Sequence, residues 1–86
     1  MKKTYKIEFS KKAAKFFNIQ PPQQQRRLAK AIRNLPEGDV KILKGYSNNI
    51  YRLKVGDYRV IFTIEEEKSL IQILIIGNRG DVYKKL

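Results

Sequence analysis

Apolar and polar side chains alternate through "YKIEF" (Tyr5 to Phe9), which predicts a strand with one buried face. The period then lengthens. Ser10 fits the N-cap of a short helix that keeps Ala13, Phe16 and Phe17 on one side. "IQPP" breaks that helix, and Pro21 and Pro22 suit the first turn of a second one, where amides have no intrahelical acceptor. Leu28, Ala31, Ile32 and Leu35 recur at helical spacing until "LPEGD" ends the run. The pattern is a helical hairpin.

The second half returns to period two. "IYRLKV" and "YRVIFTI" flank Gly56-Asp57, and glycine at the first of two loop positions predicts a tight II′ hairpin. "EEEKS" closes a second turn before "LIQILIIG", whose nearly unbroken apolar character predicts a central strand covered on both faces. The predicted order is β-α-α-β-β-β: an α+β fold with the N-terminal helical hairpin packed on one face of a small, mainly antiparallel sheet. Without repeats, low-complexity tracts or long linkers, residues 1–86 read as a single domain.

A two-residue loop at Gly56-Asp57 pairs Val55 with Tyr58, Lys54 with Arg59, Leu53 with Val60, Arg52 with Ile61 and Tyr51 with Phe62. One face then carries Tyr51, Leu53, Val55, Tyr58, Val60 and Phe62, and a slip of one residue would bury cations instead. The other face collects Arg52, Lys54 and Arg59. Like charges directly opposite each other destabilise a strand pair by about 0.2–1 kcal/mol. A plain solvated surface is one reading of these basic residues, although a neutral residue opposite Lys54 would be better tolerated than Arg59.

Charge widens the question. Nineteen Lys and Arg against eight Asp and Glu leave a net charge of +11, which calls for a polyanionic partner: nucleic acid, an anionic membrane or an acidic protein. The chain has no cysteine and no histidine, so it lacks thiolate chemistry, the usual neutral-pH proton carrier and the usual zinc ligands. Glu65, Glu66 and Glu67 are adjacent turn residues that point in different directions, so no metal site is expected there. A chain of this length buries about 60–65% of its unfolded surface, leaving little room for a cofactor. "MKKTYKIEF" is interrupted by Lys6 and Glu8 and does not read as a signal peptide. "LIQILIIG" is too short to span a bilayer. A cytoplasmic protein without membrane contact is expected.

"YRLKVGDYRVIF" followed by "IIGNRGDVYKK" resembles the RelE family of bacterial toxins from type II toxin–antitoxin systems. The resemblance runs from the Tyr5 strand to Tyr83. It takes in the helical hairpin and the "LKG" stretch at Leu43 to Gly45, which contains Lys44. It implies a small sheet with an N-terminal helical hairpin and, for many members, cleavage of messenger RNA in the ribosomal decoding site. The family's two basic residues at alternate strand positions fall on Arg52 and Lys54, and the arginine of its next strand on Arg59. The arginine after the glycine that ends the last strand falls on Arg79, and the C-terminal tyrosine on Tyr83. Arg52 departs from the lysine of the best-known members; it stays protonated, so it can bind phosphate but not shuttle protons.

These positions suit metal-independent RNA cleavage, in which the 2′-hydroxyl attacks phosphorus in line and expels the 5′-oxygen. Without histidine, Tyr83 and Lys54 remain as proton carriers, while Arg59 and Arg79 are phosphoryl clamps. Tyr83 can also stack on a base. Arg52 and Lys44 would bind RNA. Arg26, Arg27, Lys30 and Arg33, off the apolar stripe of the second helix, are either a solvated face or a grip on ribosomal RNA backbone. The resemblance further implies an acidic antitoxin as partner, beside the ribosome and messenger RNA. Two alternatives stay open: a ParE-like inhibitor of DNA gyrase on the same fold, and a non-catalytic basic nucleic-acid-binding module.

Overall fold

The computed structural model describes residues 4–43 and 50–84. Its elements are β1 (Lys6–Phe9), α1 (Lys11–Asn18), α2 (Pro22–Arg33), β2 (Val40–Ile42), β3 (Ile50–Val55), β4 (Tyr58–Glu65), β5 (Leu70–Asn78) and α3 (Asp81–Lys84). The strands form one mixed sheet in the order β1-β5-β4-β3-β2. β1 runs parallel to β5, and every other pair is antiparallel. Among the described residues no helix is long and apolar enough to cross a membrane.

The expected α+β fold holds, with two elements beyond the predicted order. β2 adds a fifth strand at the sheet edge, and α3 packs on the face opposite the helical hairpin. Three residues are too few to display a period, so "VKI" carried no strand signal. It is a strand because β3 offers it a partner.

α1 starts where Ser10 Oγ accepts the Ala13 amide at 3.0 Å, as its N-cap role requires. The same hydroxyl donates to the Leu74 carbonyl at 2.6 Å. Leu74 is the extra residue of a bulge: Ile61 pairs with Ile75, but the next residue, Phe62, pairs with Ile73. One serine thus caps a helix and anchors that helix to the irregular point of the central strand. Pro22 occupies the first turn of α2, as expected. Gln25 Nε2 donates to the Phe17 and Asn18 carbonyls at the end of α1 (3.0 and 3.1 Å), which locks the kink.

The main core lies between this hairpin and the sheet. Ala13, Leu28, Ile32 and Leu35 meet Leu53, Val55, Val60, Phe62, Ile71, Ile73 and Ile76, all buried. Phe62 stacks on Tyr51 with centroids 5.5 Å apart and planes at 20°. Each large side chain so buried contributes about 1.5–3 kcal/mol. The opposite face has only a small cluster, Ile61, Ile75 and Val82, with Leu43, Ile50 and Leu74 at its margin. β5 is therefore central, and its bulge turns both Leu74 and Ile75 toward this second cluster.

Candidate nucleic-acid interface

The β3–β4 register is the predicted one, from Val55↔Tyr58 through Tyr51↔Phe62. Gly56 has φ +58°, whereas Asp57 is not among the residues with positive φ, the pattern of a II′ turn. On the open face two cross-strand rows follow. One is Lys41–Arg52–Ile61–Ile75 and the next is Lys54–Arg59–Gly77. Lys54 and Arg59 are directly opposed, as the alternation required.

Their opposition is relieved by the turn. Arg59 is only 7% exposed. Its Nη1 donates to the Gly56 and Tyr58 carbonyls, at 2.8 and 2.9 Å. Backbone oxygens of the turn thus take the place of water around this charge. Gly77, its partner on β5, lies under α3 through Val82. Arg59 is consequently a buried strut of the hairpin tip, while Lys54 is exposed.

Arg52 is also compensated. Its Nη2 lies 3.4 Å from Asp39 Oδ1, with side chains 15% and 55% exposed respectively. Arg52 Nε is enclosed without a hydrogen-bond partner among the described residues.

Arg79 and Tyr83 reach the same end of the sheet by a different route. The Arg79 backbone amide donates to the Asp57 carbonyl at 2.7 Å, tying the segment after β5 to the hairpin turn. The Arg79 side chain is exposed. α3 then folds back so that Val82 is fully buried on Ile61 and Ile75, and Tyr83, 37% exposed, stands at its surface. The Arg79 backbone is thus tied to the turn that separates Lys54 from Arg59, while Tyr83 is carried on α3 beyond it.

The α2 cations divide. Arg26, Arg27, Lys30 and Arg33 are all exposed on the helix, but they differ in what their ends touch. Arg27 leans on the hairpin tip: a Cβ built on Gly56 would come within 2.5 Å of its Nη2. Lys44 lies outside the described residues. Glu65 pairs with Lys68 at 3.6 Å, and Glu66 accepts the Tyr5 hydroxyl at 2.9–3.0 Å. No three carboxylates converge among the described residues.

Two participants escaped sequence reasoning. Lys41 lies directly opposite Arg52, and Asp39 supplies the counter-ion. Both depend on β2. Had "VKI" been read as a strand, its central lysine would have been placed on the cationic face.

Comparison with known proteins bears on the family and the fold. The family profile described as "ParE toxin of type II toxin-antitoxin system, parDE" matches residues 7–83. The Methanocaldococcus jannaschii protein named "Putative toxin RelE1" is 28% identical over 87 residues, covering 93% of this chain and 96% of its own. The archaeal RelE–RelB complex from Pyrococcus horikoshii OT3 superposes with a TM-score of 0.74 at 29% identity, covering 90% of this chain and 97% of that one. The RelB–RelE antitoxin–toxin complex from Methanococcus jannaschii gives 0.70 at 25% identity, covering 92% and 98%. A chain matched by the family profile along nearly its whole length, with the expected fold, belongs to the RelE/ParE family of toxins from type II toxin–antitoxin systems.

Proposed function

We propose that this toxin is a ribosome-dependent messenger-RNA endoribonuclease that stops translation in the cytoplasm. The observation that carries the reading is the tie between the Arg79 backbone and the β3–β4 turn, which holds an exposed arginine at the end of the hairpin that carries exposed Lys54. In the proposed reaction the message lies across the open face with its scissile phosphate near Arg79. The 2′-hydroxyl loses its proton, attacks phosphorus and expels the 5′-oxygen, leaving a 2′,3′-cyclic phosphate. Arg79 meets the charge that grows on the phosphoryl oxygens. Lys54 and Tyr83 are the groups available to take the proton from the nucleophile and return one to the leaving oxygen. Arg59 holds the turn that positions both sides of the site. No cofactor enters this scheme.

The cognate partner under this reading is an acidic antitoxin, in keeping with relatives crystallised as RelE–RelB complexes. It would cover the cationic rows or displace Tyr83. A second reading has its own support: the matched family is described by ParE, which suits a gyrase inhibitor on the same fold.

Two assays separate them. Purified protein is added to a translating extract and to a gyrase supercoiling reaction. Message cut only when ribosomes are present is the expected result; inhibited supercoiling with intact message moves the assignment to the ParE-like activity. Binding of RNA without any cleavage leaves a non-catalytic module. Within the extract, Tyr83→Phe should slow single-turnover cleavage as Tyr83→Ala does. Full activity in the phenylalanine variant beside an inactive alanine variant makes Tyr83 a stacking platform and leaves proton transfer to Lys54.

A further inference from the structure

The cationic face does not stop at β3. Lys41, on the edge strand, is exposed and directly opposite Arg52, so their Cβ atoms are about 4.5–5.5 Å apart. Among the described residues it has no ion-pair partner. Asp39, two residues earlier, continues the pairing through its carbonyl, which accepts the Lys54 amide at 3.0 Å. Its carboxylate lies against Arg52 Nη2 by one long contact of 3.4 Å; Arg52 Nε is buried and without a partner among the described residues, so the terminal nitrogens are the ones a ligand can reach. A guanidinium presents donors in a planar fork that an oxyanion can engage in pairs. Here a half-exposed carboxylate uses one corner of that fork.

Resting on the ribonuclease reading, we propose that the RNA track begins at the β2 edge. Lys41 takes the phosphate next to the one on Arg52, and Asp39 is a stand-in carboxylate that the phosphate on Arg52 displaces. The track then runs from Lys41 and Arg52 through Lys54 to Arg79. Asp39 orients Arg52 in the free toxin and competes with RNA for it. Removing Lys41 and removing the Asp39 charge therefore act in opposite directions.

The test uses the full chain and a short single-stranded RNA carrying 2′-O-methyl groups, which a 2′-hydroxyl mechanism cannot cut. Binding is followed by fluorescence anisotropy from low ionic strength upward, where phosphate neutralisation dominates affinity. Lys41→Gln should weaken binding roughly threefold and lower the log–log salt slope by about 0.7, one single-strand phosphate contact. Asp39→Asn should tighten binding by a similar factor. Lys6→Gln and Glu8→Gln, an exposed pair at the far edge of the sheet, are the controls for net charge. Equal shifts from those controls, or a Lys41→Gln slope identical to the parent, overturn the proposal. So does a loss of binding in Lys54→Gln with none in Lys41→Gln. Cleavage in the translating extract is scored separately. If no message is cut while the Lys41 and Asp39 effects persist, the ribonuclease reading fails and the RNA track stands.

Discussion

Leu53 and Lys54 are consecutive residues of β3, and they enter two different kinds of environment. Leu53 is buried under the helical hairpin among Val55, Val60 and Phe62. Apolar burial is non-directional, so that face is stable wherever volume is filled. Lys54 faces the other way, opposite Arg59, where Coulomb repulsion has to be answered by geometry. Turn carbonyls solvate Arg59, and Asp39 holds Arg52. Compensation is thus spent on two of the three hairpin cations, and Lys54 stays exposed with no ion-pair partner among the described residues. One face keeps the fold by packing, and the other keeps a few charges uncompensated by pinning their neighbours.

The contrast breaks most severely at Phe62, fully buried and stacked on Tyr51. Phe62→Ala should cost about 3–5 kcal/mol. That is a large share of the roughly 5–15 kcal/mol that holds a small domain. Urea unfolding measures it, and activity should fall only in proportion to the folded fraction. Arg79→Ala is the mirror case. Its side chain is exposed and its structural bond is made by the backbone amide, so the unfolding midpoint should barely move. Single-turnover cleavage should drop about 10²–10³-fold, the usual loss for one preorganised donor. A loss of stability matching the loss of rate would abolish the division between the faces.

The same division governs what was legible in the sequence. Period two and a glycine at the turn were enough to place the β3–β4 register residue by residue, because any slip would bury Arg52, Lys54 and Arg59. β2 was not legible: three residues carry no period, and Ile42 is exposed. α3 was missed for a similar reason, since "DVYK" makes a single turn whose one apolar anchor, Val82, is explained only by Ile61 and Ile75 beneath it. The bulge at Leu74 was invisible because every register looks alike in an apolar run. The resemblance to the RelE family marked Lys54, Arg59, Arg79 and Tyr83 as candidates. Which of them are free could not be read, since the burial of Arg59 depends on carbonyls at the turn and on α3 beside Gly77.

Gly56 is where the two faces meet. Its positive φ carries the turn, and its missing Cβ admits Arg27 of α2. Gly56→Ala should cost about 1–3 kcal/mol, the range for a side chain held in a sparsely populated backbone region. The cost is that of the backbone, because the Arg27 guanidinium is the far end of a flexible, exposed side chain and can swing aside. In an Arg27→Ala background the same substitution should therefore cost nearly as much, with a coupling within about 0.5 kcal/mol in a double-mutant cycle. A larger coupling would mean that Arg27 presses on the turn.

The smallest effects are expected among the other cations of α2, and they sharpen the comparison most finely. Arg26, Lys30 and Arg33 are exposed, so each glutamine substitution should leave stability within about 0.5 kcal/mol. If they grip ribosomal RNA backbone, each should lower the log–log salt slope of ribosome binding by about 0.7–0.9. Arg27 shares their helix and their charge but rests on the hairpin. Arg27→Gln should therefore change the slope less than its neighbours do and stability more, because what it loses is packing on Gly56 rather than a phosphate. Ribosome co-sedimentation across a salt series, beside thermal unfolding of the same four variants, measures both quantities. Four indistinguishable variants would return Arg27 to the solvated face of the helix. An unchanged slope in all four would leave the open face of the sheet as the RNA-binding surface.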